Sequence, residues 1–93
     1  KVLAIDPHDA VAWFGLGKAH MDDANFQEAV PALESCLRVK PTYSAAYLAL
    51  AQSLQKLGRV EPCKKICDDG ITVSTKNGDA MVTKQLEMLK QTL

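Results

Sequence analysis

The chain has 93 residues, 47% hydrophobic and 24% charged, and its 11 basic and 11 acidic side chains leave a formal net charge of zero. A domain this small buries only about 60–70% of its unfolded surface, and without clustered Lys and Arg it lacks the positive charge that phosphate binding needs, which argues against nucleic acid as partner. No apolar run approaches the roughly 20 residues of a membrane span, no signal peptide is visible, and an odd set of cysteines, Cys36, Cys63 and Cys67, reads as thiols of a reducing, cytoplasmic compartment rather than a disulfide framework.

Val2-Leu3-Ala4-Ile5 is apolar and stops at Asp6-Pro7, where proline ends a helix. The chain opens on Lys1 rather than Met. It therefore reads as a piece of a longer protein that begins in the tail of an upstream helix. Asp9 is placed to cap the next helix, Ala10 to Met21. That helix is apolar almost all round, Lys18 and His20 excepted, which implies contact on several sides. Asp22-Asp23-Ala24-Asn25 is a turn with Asn25 as the cap. The second helix, Phe26 to Val39, carries Phe26, Ala29, Val30, Leu33 and Leu37 on one stripe. Pro31 removes one backbone bond from it and bends it.

Pro41-Thr42 resets the pattern, and Thr42 caps a third helix from Tyr43 to about Leu57. Gly58 closes it in the left-handed conformation. Pro62 falls in the first turn of a fourth helix, where proline is well accepted. That helix runs to about Ser74 with Val60, Cys63, Ile66, Cys67 and Ile71 along it. Gly70 lies inside it, at a cost of about 1 kcal/mol. Lys76-Asn77-Gly78-Asp79 is a turn, with Asp79 as the cap of a fifth helix, Ala80 to Leu93. Val82, Leu86, Leu89 and Leu93 make its apolar stripe. Lys84, Gln85, Glu87, Lys90 and Gln91 make its other face. One apolar and one polar face suit a helix that ends a stack.

The pattern Trp13-x2-Leu16-Gly17-x2-His20, Ala29-x3-Leu33, Pro41 returns after 34 residues. Tyr47 then falls under Trp13, Leu50 under Leu16, Ala51 under Gly17 and Cys63 under Ala29; backwards, Pro7 falls under Pro41, Ile5 under Val39 and Leu3 under Leu37. A fixed period of this length marks a helical repeat array. The spacing resembles the tetratricopeptide repeat family. The resemblance implies an all-α fold, a right-handed solenoid of antiparallel helix pairs. Residues 1–9 would be the tail of a preceding repeat, 10–43 and 44–77 two full repeats, and 78–93 a capping helix. Thr75 stands where the second repeat would have its proline. In strict register Lys84 falls under Leu16, and a slip of one residue in the last helix moves it out of the core. The small residues at 17, 51, 29 and 63 would let helix backbones approach closely.

No Ser/His/Asp grouping, glycine-rich phosphate loop or paired carboxylate suggests catalysis, and no cofactor is implied. A metal site built from the three thiolates is conceivable. The repeat register instead puts Cys63 and Cys67 at core positions, where cysteine acts as a compact hydrophobe. His20 stands where the family has an aromatic and reads as a core-edge histidine. The resemblance therefore implies a non-catalytic protein–protein interaction module that holds a peptide or a partner helix. By register its concave groove would draw Val11, Phe14, Lys18 and Met21 from one helix, and Leu48, Gln52, Gln55 and Lys56 from the next. Phe14 follows Trp13 directly and cannot share its buried direction. It either faces the groove as a contact or packs against an upstream repeat or another copy of the chain. The Lys/Asn/Arg clamp by which some family members hold acidic chaperone tails is absent, since Phe14, Leu48 and Ala49 occupy the corresponding positions. Two other readings stand beside the groove. One is a structural segment that forms oligomers through an open N-terminal face of Val2, Leu3, Ile5 and Trp13. The other is a domain regulating an enzyme elsewhere in the parent chain.

Overall fold

The structure, a computed structural model, describes residues 6–93, so the helix tail expected at Val2 to Ile5 lies outside the described residues. The described residues form five helices: α1 (Ala10–Asp22), α2 (Phe26–Val39), α3 (Ser44–Lys56), α4 (Val60–Asn77) and α5 (Ala80–Gln91). Each packs against its sequence neighbours, and α3 also touches α1 and α5. This is the stacking of antiparallel pairs in which neighbouring units share one core.

Local chemistry sets the boundaries. Asp9 caps α1, accepting the Ala12 N–H at 3.1 Å, a contact worth about 1 kcal/mol. Asn25 and Asp79 hold the cap positions of α2 and α5, but their side chains make no bond back to the helix. Thr42 is not the cap of α3. Tyr43 occupies that position, and its own N–H bonds to the Lys40 carbonyl at 3.1 Å in the preceding turn. Gly58, with φ 73°, follows the end of α3 as its composition suggests, and Gly78 ends α4 in the same left-handed conformation. Ala24 holds that conformation, φ 58°, one period before Gly58. Pro31 is exposed within a continuous α2.

The core is continuous from α2 to α5, with Leu33, Leu50 and Leu86 almost fully buried. Each such leucine contributes about 1.5–3 kcal/mol by leaving water. Two glycines fix how closely the helices sit. A Cβ at Gly17 would lie 2.6 Å from Leu33 Cγ and Cδ2, which accounts for the small residue in the signature. Gly70 is more constrained, since a Cβ there would stand 2.6 Å from Tyr47 Cβ and 2.7 Å from Leu86 Cδ1. The interior glycine that looked like a helix defect is the contact through which α4 meets both α3 and α5.

The period extends to polar contacts. Trp13 Nε1 donates to the Pro7 carbonyl at 3.2 Å, and Tyr47 Oη donates to the Pro41 carbonyl at 2.8 Å, 34 residues later. Register slips after α3, by two residues and not the one expected from the sequence. Ser44 follows Ala10 by 34 residues, but Ala80 follows Ser44 by 36, because α4 runs for 18 residues where α2 runs for 14. Lys84 is consequently exposed, while Val82, Leu86 and Leu89 are buried. Strength of signature and depth of burial run opposite ways. Tyr47 is buried and Trp13 only half-buried, since α3 has helices on both sides. For the same reason α1 is not contacted on several sides among the described residues, and Val11, Gly15, Lys18 and Ala19 are exposed.

Candidate functional site

α1 and α3 are the first helices of the pairs α1–α2 and α3–α4, and α3 touches both α1 and α5. Between α3 and α5 is an open hollow of about 350 Å³ lined by Leu48, Gln52, Gln55, Gln85, Met88, Leu89 and Thr92. Its floor is Leu48 and Leu89, which pack on the core. Met88 stands 59% exposed at its edge. The polar part consists of three carboxamides and one hydroxyl. Gln55 Nε2 donates to Thr92 Oγ1 at 2.9 Å, and Thr92 Oγ1 donates to the Leu89 carbonyl at 2.6 Å. Among the described residues no charged side chain lines the hollow.

Three of the eight residues placed in the groove by register, Leu48, Gln52 and Gln55, come together here. The α1 members do not join them. Val11 is 67% exposed, Lys18 is exposed, and Met21 is half-buried against the core. Lys56 is exposed outside the hollow. Phe14 does not join them either. It is half-buried and stacks on Tyr43, ring centroids 5.0 Å apart and planes at 29°. Its packing partner is the cap residue of α3, at the junction between 10–43 and 44–77. Lys40 Nζ lies 5.7 Å from the centroid of the same Tyr43 ring.

The α5 side is not visible in the register, because that helix reads as a cap with a buried stripe and a solvated remainder. Gln85 falls in the remainder by its spacing, and Met88 in neither. The available signal was the recurrence of glutamines at 52, 55 and 85 on successive first helices. The outer side of α5 is polar as its pattern indicates. Thr83, Lys84 and Glu87 line a second hollow of about 420 Å³ together with Ser74 and Thr75, and the Ser74 and Thr83 hydroxyls hydrogen-bond to each other. Lys90 forms an ion pair with Asp68, and Lys65 with Asp69 at 3.3 Å.

The thiols belong to the core. Cys36, Cys63 and Cys67 are free and fully buried, and Cys63 Sγ donates to the Ala51 carbonyl at 3.2 Å. Burial, reinforced by neighbouring Cys63, pushes the Cys67 thiol up to about 12. Burial also raises Cys36 and Cys63. Thiols this reluctant to ionise are poor nucleophiles and poor metal ligands. Among the described residues no three His, Cys, Asp or Glu side chains come together to hold a metal. No helix of the described residues is long and apolar enough to cross a membrane. Of the N-terminal face, Val2, Leu3 and Ile5 lie outside the described residues, and Trp13 is half-buried.

A stack of antiparallel helices with an uncharged hollow between α3 and α5 defines a helical-repeat scaffold. The tetratricopeptide repeat family model matches residues 20–80, and the chain belongs to that family. Such repeats in general mediate protein–protein interaction and are typically non-catalytic. The chain is 27% identical over its whole length to TPR repeat-containing protein PA0015 of Pseudomonas aeruginosa, covering 89% of that protein. It is 42% identical over 53 residues to the human PEX5-related protein, which is 57% of this chain and 8% of that one. Among solved structures it superposes on a tetratricopeptide repeat domain protein of Salinibacter ruber with a TM-score of 0.82. The identity there is 23%, over 95% of this chain and 89% of the other, and the likeness is one of fold. Protein BPP2914 of Bordetella parapertussis matches with a TM-score of 0.80 and 29% identity, over 89% of this chain and 72% of that one.

Proposed function

We propose that this chain is a non-catalytic interaction module that holds an uncharged, extended peptide or partner helix along α1, α3 and α5. In this reading 10–43 and 44–77 are its two full repeats, and 78–93 is a closing helix that also supplies half of the binding surface. The observation that carries it is the hollow of Leu48, Gln52, Gln55, Gln85, Met88, Leu89 and Thr92. Carboxamides both donate and accept, so they match a peptide backbone that does the same. Leu48 and Met88 offer apolar contact to one inserted side chain. A charged side chain would lose its hydration there without meeting an opposite charge, so uncharged segments are preferred. Val11, exposed on α1, extends the surface towards the first repeat.

Met88→Glu and Val11→Glu test this directly. Both sites are exposed, so the helical circular dichroism and melting temperature should stay at the wild-type values. Selection from a displayed peptide library should return uncharged sequences with a central apolar residue. Met88→Glu should weaken their binding at least about fivefold, as expected for an apolar contact residue worth more than about 1 kcal/mol. Equal binding by wild type and both variants would rule the groove out.

A further inference from the structure

The turn that closes α4 holds a reactive pair. Asn77 is the last residue of α4, and Gly78 follows with φ 73°. The Asn77 side chain is exposed, and its Nδ2 donates to the Thr42 carbonyl 2.8 Å away. That bond ties the end of α4 to the turn before α3. Next to it in sequence, Ser44 Oγ donates to Asp79 Oδ2 at 2.8 Å. Together these two contacts join the connection between α4 and α5 to the start of the second repeat.

We propose that Asn77–Gly78 is a site of spontaneous deamidation whose product severs this tie. Gly78 has no Cβ, so its backbone nitrogen is unusually free to approach the Asn77 side chain. That nitrogen, once deprotonated by base, attacks Asn77 Cγ. The new N–C bond forms, the bond from Cγ to Nδ2 breaks, and Nδ2 leaves as ammonia after taking up a proton. The resulting five-membered succinimide adds one water at either carbonyl and opens to aspartate or isoaspartate at position 77. Water is the only co-reactant, and nothing is oxidised or reduced.

The fold restrains the reaction and determines its effect. The Gly78 N–H is engaged by the Thr75 carbonyl at 3.1 Å and by that of Ser74. The attacking nitrogen is thus released only when the last turn of α4 frays, a local opening and not a global one. In the product a carboxylate oxygen faces the Thr42 carbonyl where an N–H donor stood. It also adds negative charge at the C-terminal end of a helix, where the dipole disfavours anions, two residues from Asp79. Isoaspartate lengthens the main chain at the same turn. The change is one-way and loosens α5, and with it one wall of the α3–α5 hollow.

The test is to hold the folded chain in mildly alkaline buffer beside a urea-unfolded sample. The peptide carrying residue 77 is followed by mass spectrometry and isoaspartate labelling. Asn25, followed by the bulky Phe26, is the internal control. The folded chain should convert at position 77 but not at 25, faster at higher pH, and about tenfold more slowly than the unfolded chain. Asn77→Gln should resist conversion over the same period. Asn77→Asp should melt about 4–8 °C below wild type. A folded chain that remains unconverted long after the unfolded sample has reacted to completion overturns the site. An Asn77→Asp variant that melts with wild type overturns its consequence.

Discussion

Replacing Gly70 with alanine sets two physical effects against each other, and the structure decides the sign. Alanine is the better helix former by about 1 kcal/mol in a helix interior, and Gly70 lies well inside α4. Propensity alone therefore makes Gly70→Ala stabilising. The added methyl, however, would sit 2.6 Å from Tyr47 Cβ and 2.7 Å from Leu86 Cδ1. Overpacking a core usually costs about 1–3 kcal/mol. The upper half of that range applies, because Tyr47 Cβ is fixed to the α3 backbone and cannot rotate away, and Leu86 is fully buried. Net destabilisation is then about 1–2 kcal/mol, and for a domain of this size the melting temperature falls by about 4–8 °C for each kcal/mol. Gly15→Ala is the matched control. It lies inside α1 with nothing within 4 Å of its would-be Cβ, so it should gain the propensity term and melt higher than wild type. Thermal and urea unfolding of the three proteins, read by circular dichroism, gives the comparison. If Gly70→Ala is as stable as wild type, the close approach of α3, α4 and α5 is not what requires glycine there.

Two further outcomes follow from other positions. Ala24 holds the left-handed conformation at φ 58°, which costs a residue with a Cβ about 1 kcal/mol; Ala24→Gly should therefore raise the urea midpoint with an unchanged slope, although the freer unfolded chain offsets part of the gain. The Cys67 thiol, raised from 9.0 to about 12 by burial, stays protonated in the folded chain at pH values where the unfolded chain ionises. The unfolded state then binds fewer protons than the folded one, so this group's contribution to stability is intact below pH 9 and declines between about pH 9 and 12. Urea unfolding across that window should show the loss, Cys67→Ser should flatten its share of the slope, and iodoacetamide should label Cys67 only in the unfolded chain.

The fold was legible because its determinants repeat. Trp13, Leu16 and Gly17 return as Tyr47, Leu50 and Ala51, and apolar stripes at helical spacing placed all five helices within a few residues of where they lie. Caps were less legible. Thr42, Asn25 and Asp79 are cap-forming residue types, yet no side chain among them bonds back to its helix, and the Asp79 carboxylate accepts from Ser44 instead. The candidate site was half legible. Register brought Leu48, Gln52 and Gln55 to one face, but it could not say that Phe14 would be occupied by Tyr43, 29 residues along the chain. Nor could it show that α5 would wall the hollow with Gln85 and Met88.

The sequence by itself determined the helical class, the 34-residue period, the burial of Cys63 and Cys67 and the exposed polar side of α5. Each follows from residue type and spacing along one helix. Tertiary structure alone decided why Gly70 is glycine, where Phe14 spends its ring, and that the uncharged hollow lies between α3 and α5. These depend on the distance between helix axes and on the two-residue slip after the long α4. Neither quantity is carried by a local pattern, because both arise only when separate helices are packed against one another.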